Sequence, residues 1–381
     1  MTAGIYIHIP FCRKKCDYCN FYSVPAGRFG ADGEVPEAYM ARLHAEIRKR
    51  LPGMDISGAD TIYFGGGTPS LMTPAQIWGV LDMLGEIAII ERGAEITLEM
   101  NPGDASRGRL TAYRDAGVNR IVLGVQTFSG RLHRLIGRSA EPCTARDLDM
   151  FFSVPGIDGC IDLITGIPSQ SEPELNRDID LAAAYRPRHI SAYLLSVEKK
   201  TPLGGRFHGG PAAEDDQRRL FELTMARLQA RGYEHYEISN YALPGFESRH
   251  NMKYWSFEPY AGFGPGSHSF MNNERSFNAM PVHEYIQSEQ TIIEHDPRPA
   301  GSAAAEYFLT GLRLIRGISI RDAERRLEVT LPESVLARIM KAEEGGTIIA
   351  DRSDGDLRIR LSAEGIVLSD SVIYDIVEPL L

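Results

Sequence analysis

Three of the chain's five cysteines fall in one short stretch, Cys12-Arg13-Lys14-Lys15-Cys16-Asp17-Tyr18-Cys19, spaced C-x3-C-x2-C. Thiolates ligate soft metals: zinc, copper(I) and iron–sulfur clusters. A structural zinc site wants four closed ligands, usually as two separated pairs. No second pair is present, because Cys143 and Cys160 are lone and distant. Three clustered thiolates suit a 4Fe–4S cubane that leaves one iron without a protein ligand. An open iron is a place for chemistry, as an open position is on catalytic zinc. Zinc or free thiols are the alternative reading of Cys12, Cys16 and Cys19. Cys143 and Cys160 read as ordinary buried thiols. Lys14 and Lys15 are expected to lower neighbouring thiol pKa values and to offset a cluster's negative charge.

Elements must bring these residues to a working position. The apolar β-rich run Ile5 to Ile9 leads into the cysteines, and Pro10 blocks its continuation as a central strand. Further β-prone runs are Thr61–Phe64, Ile96–Met100, Asn119–Gln126, Gly159–Ile164 and His189–Leu195, with a short one at Tyr233–Ile238. Helical patterns separate them: Tyr39, Leu43, Ile47 and Leu51 recur on one face, and Thr73-Pro74-Ala75-Gln76 and Ser171-Glu172-Pro173-Glu174 read as capping boxes. Alternating strand and helix predicts a parallel sheet with right-handed crossovers. About six units predict a partial (β/α)6 barrel, and function in such barrels sits at the C-terminal strand ends.

That rule selects residues. The cysteines follow the first strand, and Gly66 and Gly67 of Gly65-Gly66-Gly67-Thr68-Pro69 follow the second. Glu99 lies near the end of the third, Gln126 ends the fourth, and Asp162 lies in the fifth. The glycines' N–H groups are expected to approach a ligand closely, although a tight turn explains them equally well. Each polar residue also has a bland reading: Glu99 as a turn cap, Gln126 as a bridge between loops, Asp162 as the partner of Arg138. A ring of them at matching strand ends favours a cofactor site.

Residues 241–300 break the alternation. They are rich in Gly, Pro, His and aromatics, and include His250-Asn251-Met252-Lys253-Tyr254-Trp255. They read as a loop beside the barrel mouth, either suited to a flat aromatic ligand or serving as an aromatic lid. From 301 to 381 the chain turns charged and helical, with two short β-prone runs joined by Asp354-Gly355, resembling a winged helix. The expected division is therefore 1–240, 241–300 and 301–381. Net charge is −10, which argues against a nucleic-acid backbone as partner. No run of 18 apolar residues predicts a spanning helix, which leaves peripheral membrane contact open. There is no secretory signal at Met1-Thr2-Ala3-Gly4, and reduced thiolates fit the cytoplasm.

The C-x3-C-x2-C loop after a first strand resembles the radical SAM superfamily, and Tyr6-x-His8-Ile9-Pro10-Phe11-Cys12 resembles its oxygen-independent coproporphyrinogen III oxidase family. The resemblance runs along most of the chain. It implies a cluster on Cys12, Cys16 and Cys19 whose open iron binds S-adenosylmethionine, which reduction would cleave. It implies cofactor contacts from Tyr6, Gly66, Gly67, Thr68, Glu99, Gln126, Arg138 and Asp162. The decarboxylating members carry a further cysteine two residues after the third, where this chain has Phe21, and the chain begins only eleven residues before Cys12, with no room for a substrate-shaping extension. His250-Asn251-x-x-Tyr254-Trp255 instead resembles a signature of the heme-chaperone branch. That branch implies heme binding, with His250 the candidate iron ligand, transfer to an acceptor protein and an unnamed electron donor. The alternatives are an oxidase that decarboxylates coproporphyrinogen III propionates in porphyrin biosynthesis and a purely structural metal scaffold. Whether the chain is itself an enzyme stays open at this stage.

Overall fold

Strand β1 (Thr2–Ile9) alternates Ile5, Ile7 and Ile9 with Tyr6 and His8, and the three isoleucines are fully buried. Successive side chains leave a strand on opposite faces. The isoleucines join the main core with Leu43 and Ile47, while Tyr6 and His8 face the other way, toward the rings of Tyr63 and Tyr22. The computed structural model describes residues 1–29, 33–138, 141–207, 214–296, 302–353 and 355–381. Strands β2 (Gly58–Gly66), β3 (Ile89–Met100), β4 (Arg120–Gln126), β5 (Asp158–Thr165) and β6 (His189–Leu194) follow, each parallel to the one before.

The intervening helices cover the outer face: α1 (Glu37–Arg50), α2 (Pro74–Ile87), α3 (Arg107–Asp115), α4 (Gly130–Leu135), α5 (Ala145–Phe152), α6 (Glu172–Ala184), α7 (Pro202–Arg206) and α8 (Glu214–Gln229). Helix α2 starts where its capping box predicts. Gln76 N–H donates to Thr73 Oγ1 at 3.2 Å, and Thr73 N–H donates to Gln76 Oε1 at 3.0 Å. Glu174 likewise accepts from the N–H and hydroxyl of Ser171 at the start of α6.

The short strand after α8 does not continue the parallel series. Strands β7 (Glu234–Glu237) and β8 (Asn240–Ala242) are antiparallel to each other, and β8 is antiparallel to β6. The stretch expected to be a loop is largely regular. Helix α9 (Arg249–Trp255) is followed by β9 (Tyr260–Phe263), which pairs in parallel with β1 on its free side. Strands β10 (His268–Met271), β11 (Glu274–Asn278) and β12 (Ile293–His295) extend that edge as antiparallel neighbours, with α10 (Val282–Gln287) between the last two. The result is a 12-stranded sheet in the order β12-β11-β10-β9-β1-β2-β3-β4-β5-β6-β8-β7. The expected boundary at 240 falls inside it. Gly262 allows the tight β9–β10 crossing, because a Cβ there would collide with the His268 carbonyl.

The C-terminal module orders its elements as α11 (Ser302–Gly311), β13 (Ile318–Ser319), α12 (Ile320–Leu327), α13 (Glu333–Glu344), β14 (Ile348–Asp351), β15 (Arg358–Leu361), α14 (Ala363–Val367) and α15 (Ser369–Val377). Its three-stranded sheet runs β13-β15-β14, the winged-helix arrangement the sequence resembles. Asp354, half of the expected hairpin turn, lies outside the described residues. The module's apolar cluster includes Phe257, Tyr260 and Phe270, so it is packed onto the edge of the large sheet.

Candidate functional site

The cysteine loop leaves β1 at Pro10 and is held at both ends. Phe11–Cys12 pair with Val24–Pro25, and Val24 N–H donates to the Pro10 carbonyl at 2.7 Å. In mid-loop, Asp17 is clamped from three sides. Its N–H donates to Ile136 O at 3.2 Å, its carbonyl accepts from Leu203 N–H at 2.9 Å, and its carboxylate accepts from Arg206 at 2.7 Å. Cys12 is buried, while Cys16 and Cys19 are half-buried and open onto a cleft of about 740 Å³ at the C-terminal strand ends.

Most residues selected from the sequence line this one cleft: Cys12, Cys16, Cys19, Gly66, Gly67, Thr68, Glu99, Gln126, Arg138 and Asp162. Tyr6 does not line it. It sits lower in the barrel, its hydroxyl 3.1 Å from His8 Nδ1. Gly66 and Gly67 line the cleft, and their amides are engaged within the fold. Gly66 N–H already donates to Glu99 Oε2 at 3.2 Å, and Gly67 N–H donates to the Ile9 carbonyl at 2.8 Å. Glycine is required here for packing. Gly66 has φ 116° with the His8 imidazole beneath it, and a Cβ on Gly67 would come within 2.6 Å of the Phe11 carbonyl. The absent side chains let the strand end cross under the cysteine loop.

Two half-buried carboxylates form the cleft floor. Glu99 accepts from Tyr63 OH at 2.8 Å as well as from Gly66. Burial pushes its carboxyl up to about 7, against the pull of the Tyr63 bond, and Asp162 raises it further. Burial likewise lifts Asp162 to about 6 against its bond from Ser191. Asp162 Oδ1 is buried with no partner, so the floor holds an acceptor with unmet capacity. No Arg138–Asp162 ion pair forms. The Arg138 guanidinium donates instead to Asn101 Oδ1 at 2.8 Å and Gly124 O at 3.0 Å, standing as a fixed cation on the wall. Gln126 adopts a left-handed backbone, φ 69°, a conformation found in strained functional turns.

The thiols run against expectation. Burial raises Cys16 and Cys19, and although Lys15 draws Cys19 down it does not reverse the direction. The Lys15 ammonium is engaged by the Phe21 carbonyl at 2.9 Å. Among the described residues no three His, Cys, Asp or Glu side chains close on a single metal ion. A cubane spreads its thiolates over separate irons and does not require that closure. The donor set of three cysteines at one cleft, with two carboxylates and a guanidinium opposite, fits a cluster beside a zwitterionic ligand. Tyr63 and Asn101 belong to this site and were not singled out. The signal for Asn101 was available, since it immediately follows β3. Tyr63 is recognised only by what its hydroxyl touches.

His250 lies elsewhere. Helix α9 plugs the opposite, N-terminal end of the barrel. Ser248 caps it, and the free N–H groups of Arg249 and His250 donate to the buried Glu95 carboxylate at 3.1 and 3.0 Å. An acid at a helix N-terminus satisfies both the unpaired donors and the dipole. The His250 ring is fully buried, with Nδ1 2.8 Å from Thr61 Oγ1 and Nε2 2.9 Å from Tyr254 OH. Burial lowers its pKa to about 3. Both nitrogens are engaged, so the motif is the barrel's base plug and not a feature of the mouth.

Residues 6–182 match the Radical SAM superfamily model. The chain is 32% identical over 373 residues to the heme chaperone HemW of Lactococcus lactis, covering 96% of this chain and 95% of that one. It is 37% identical over 269 residues to the heme chaperone HemW of Escherichia coli, covering 70% and 69%. Among solved structures, the radical SAM enzyme coproporphyrinogen III oxidase (HemN) from Escherichia coli aligns with a TM-score of 0.82 at 19% identity, covering 98% of this chain and 89% of that one. That likeness establishes the fold.

Proposed function

The chain belongs to the heme chaperone HemW family within the radical SAM superfamily, and from that membership we propose that it binds heme and passes it to an acceptor protein, carrying a 4Fe–4S cluster and S-adenosylmethionine. Cys12, Cys16 and Cys19 hold the cluster. When bound, cluster and S-adenosylmethionine together supply one-electron reductive chemistry. The chain's own residues bind and orient: Arg138 offers a guanidinium to a carboxylate, Glu99 and Asp162 accept from amine or hydroxyl groups, and Gln126 and Thr68 complete the wall. The chain works in the cytoplasm with an acceptor protein and an electron donor. Among the described residues no helix is long and apolar enough to cross a membrane.

The observation that supports this reading over propionate decarboxylation is residue 21. Phe21 lines the cleft and is 71% exposed, an apolar surface where the decarboxylating relatives place a thiol. The iron ligand for heme is not assigned to His250, because its ring is fully buried and ligation through either nitrogen would break one of its two buried bonds. Anaerobically reconstituted protein given S-adenosylmethionine, a reductant and coproporphyrinogen III is expected to retain added heme and to release no decarboxylated porphyrinogen. Turnover to protoporphyrinogen would replace this reading with the oxidase.

A further inference from the structure

Helix α6 lies on the outside of the barrel, away from the cleft, yet it carries a carboxylate that the packing of a surface helix does not require. Asp178 is 2% exposed. Both of its oxygens are engaged by the turn that follows β4. Thr127 Oγ1 donates to Oδ2 at 2.7 Å, and Phe128 N–H donates to Oδ1 at 2.9 Å. The residue immediately before that pair is Gln126, the non-glycine residue with φ 69° whose side chain lines the cofactor cleft.

A left-handed conformation at a residue with a Cβ persists only where its surroundings over-determine it. Upstream, Gln126 is fixed by β4. Downstream, Thr127 N–H turns back to Val125 O at 2.9 Å, and Ser129 N–H donates to Thr127 Oγ1 at 3.1 Å. Thr127 is thus the hub of the turn, and Asp178 is the group that fixes Thr127 to the scaffold. Two hydrogen bonds to the two oxygens of one buried carboxylate fix the turn in position and direction. The same segment runs on through α4, whose N-cap is Ser129, to Arg138 on the cleft wall.

We infer that Asp178 is a positioning residue for S-adenosylmethionine: it clamps the β4–α4 turn so that Gln126 is held, strained, against the bound cofactor. This rests on the cofactor reading of the cleft given above. Asp178 touches no part of the cleft and acts only through the turn. Glycine at 126 would take the left-handed conformation without strain, and the clamp would then have nothing to hold.

The test is a double-mutant cycle on anaerobically reconstituted full-length protein, reading S-adenosylmethionine affinity and iron content together. Asp178→Asn keeps the shape of the side chain but replaces one acceptor with a donor, and is expected to weaken binding about ten-fold with iron unchanged. In a Gln126→Gly background the same substitution is expected to change affinity less than two-fold. Asp178→Ser, which removes the carboxylate altogether, serves as the second variant. Equal losses from Asp178→Asn in both backgrounds would overturn the inference, as would unchanged affinity in the single variant. Loss of iron together with affinity would mean a collapsed wall and would overturn it too. A parent that binds no S-adenosylmethionine would overturn the reading of the cleft itself, and this inference with it.

Discussion

Replacing Glu99 with Gln separates what the cleft floor does for the ligand from what it costs the fold. The Glu99 carboxyl is raised from 4.5 to about 7 by burial. Its folded-state pKa lies above its unfolded one, so folding favours the protonated form. The penalty is absent below about pH 4.5, grows as pH rises toward 7 and is complete above it. At 1.36 kcal/mol per unit, that shift amounts to at most about 3 kcal/mol, reduced by whatever water the cleft admits. Gln mimics the protonated acid. Glu99→Gln should therefore match the parent at pH 5 and exceed it in stability by roughly 1–3 kcal/mol at pH 8. Binding should move oppositely. A group with pKa about 7 is ionised roughly ten-fold more at pH 8 than at pH 6. Parent affinity for S-adenosylmethionine should therefore rise by about that factor from pH 6 to pH 8 through this group, a component missing in Glu99→Gln. Parallel denaturation of the two proteins at pH 5, 6, 7 and 8, with equilibrium binding at pH 6 and 8, measures both. A stability difference that does not grow with pH, or identical pH dependence of binding, would refute the reasoning.

Cys12→Ala, Cys16→Ala and Cys19→Ala should each abolish the 4Fe–4S cluster, read as iron content and visible absorbance. Cys143→Ala and Cys160→Ala should keep it, since both thiols are buried outside the cleft. Gly67→Ala should displace the cysteine loop, because the new Cβ meets the Phe11 carbonyl at 2.6 Å. Iron incorporation should drop and stability fall by about 1–3 kcal/mol. His250→Ala should cost roughly 3 kcal/mol through a cavity and two lost bonds, seen in urea unfolding. At temperatures where it stays folded, its heme titration should match the parent's; a lost Soret shift would return His250 to the heme site.

The six βα units were legible because their apolar residues follow clean periods of two and of about four, and because Thr73 and Ser171 announce their helices. The chemistry at the strand ends was legible for the same reason: once strands are placed, Cys12, Glu99, Gln126 and Asp162 fall on one face by counting. Residues 260–295 were not. Their strands are three to five residues long, and the set is anchored by β9 alone, which pairs with β1 across some 250 positions of sequence. The place of His250 was hidden likewise. Tyr254 stands four residues on in the same motif, but nothing near His250 in sequence announces Thr61 and Glu95, which fix its ring and its backbone from distant strands. The triple glycine stayed open because a glycine needed for close packing and one needed for ligand approach look identical in a sequence. The lysines misled because charge is visible in a sequence and burial is not.

The central claim is heme binding by a cluster-bearing protein, and an anaerobic heme titration of the reconstituted parent tests it most directly. The account predicts a saturable shift of the Soret band at about one heme per chain with the iron–sulfur cluster retained. A spectrum that stays the sum of free heme and protein throughout the titration would contradict it.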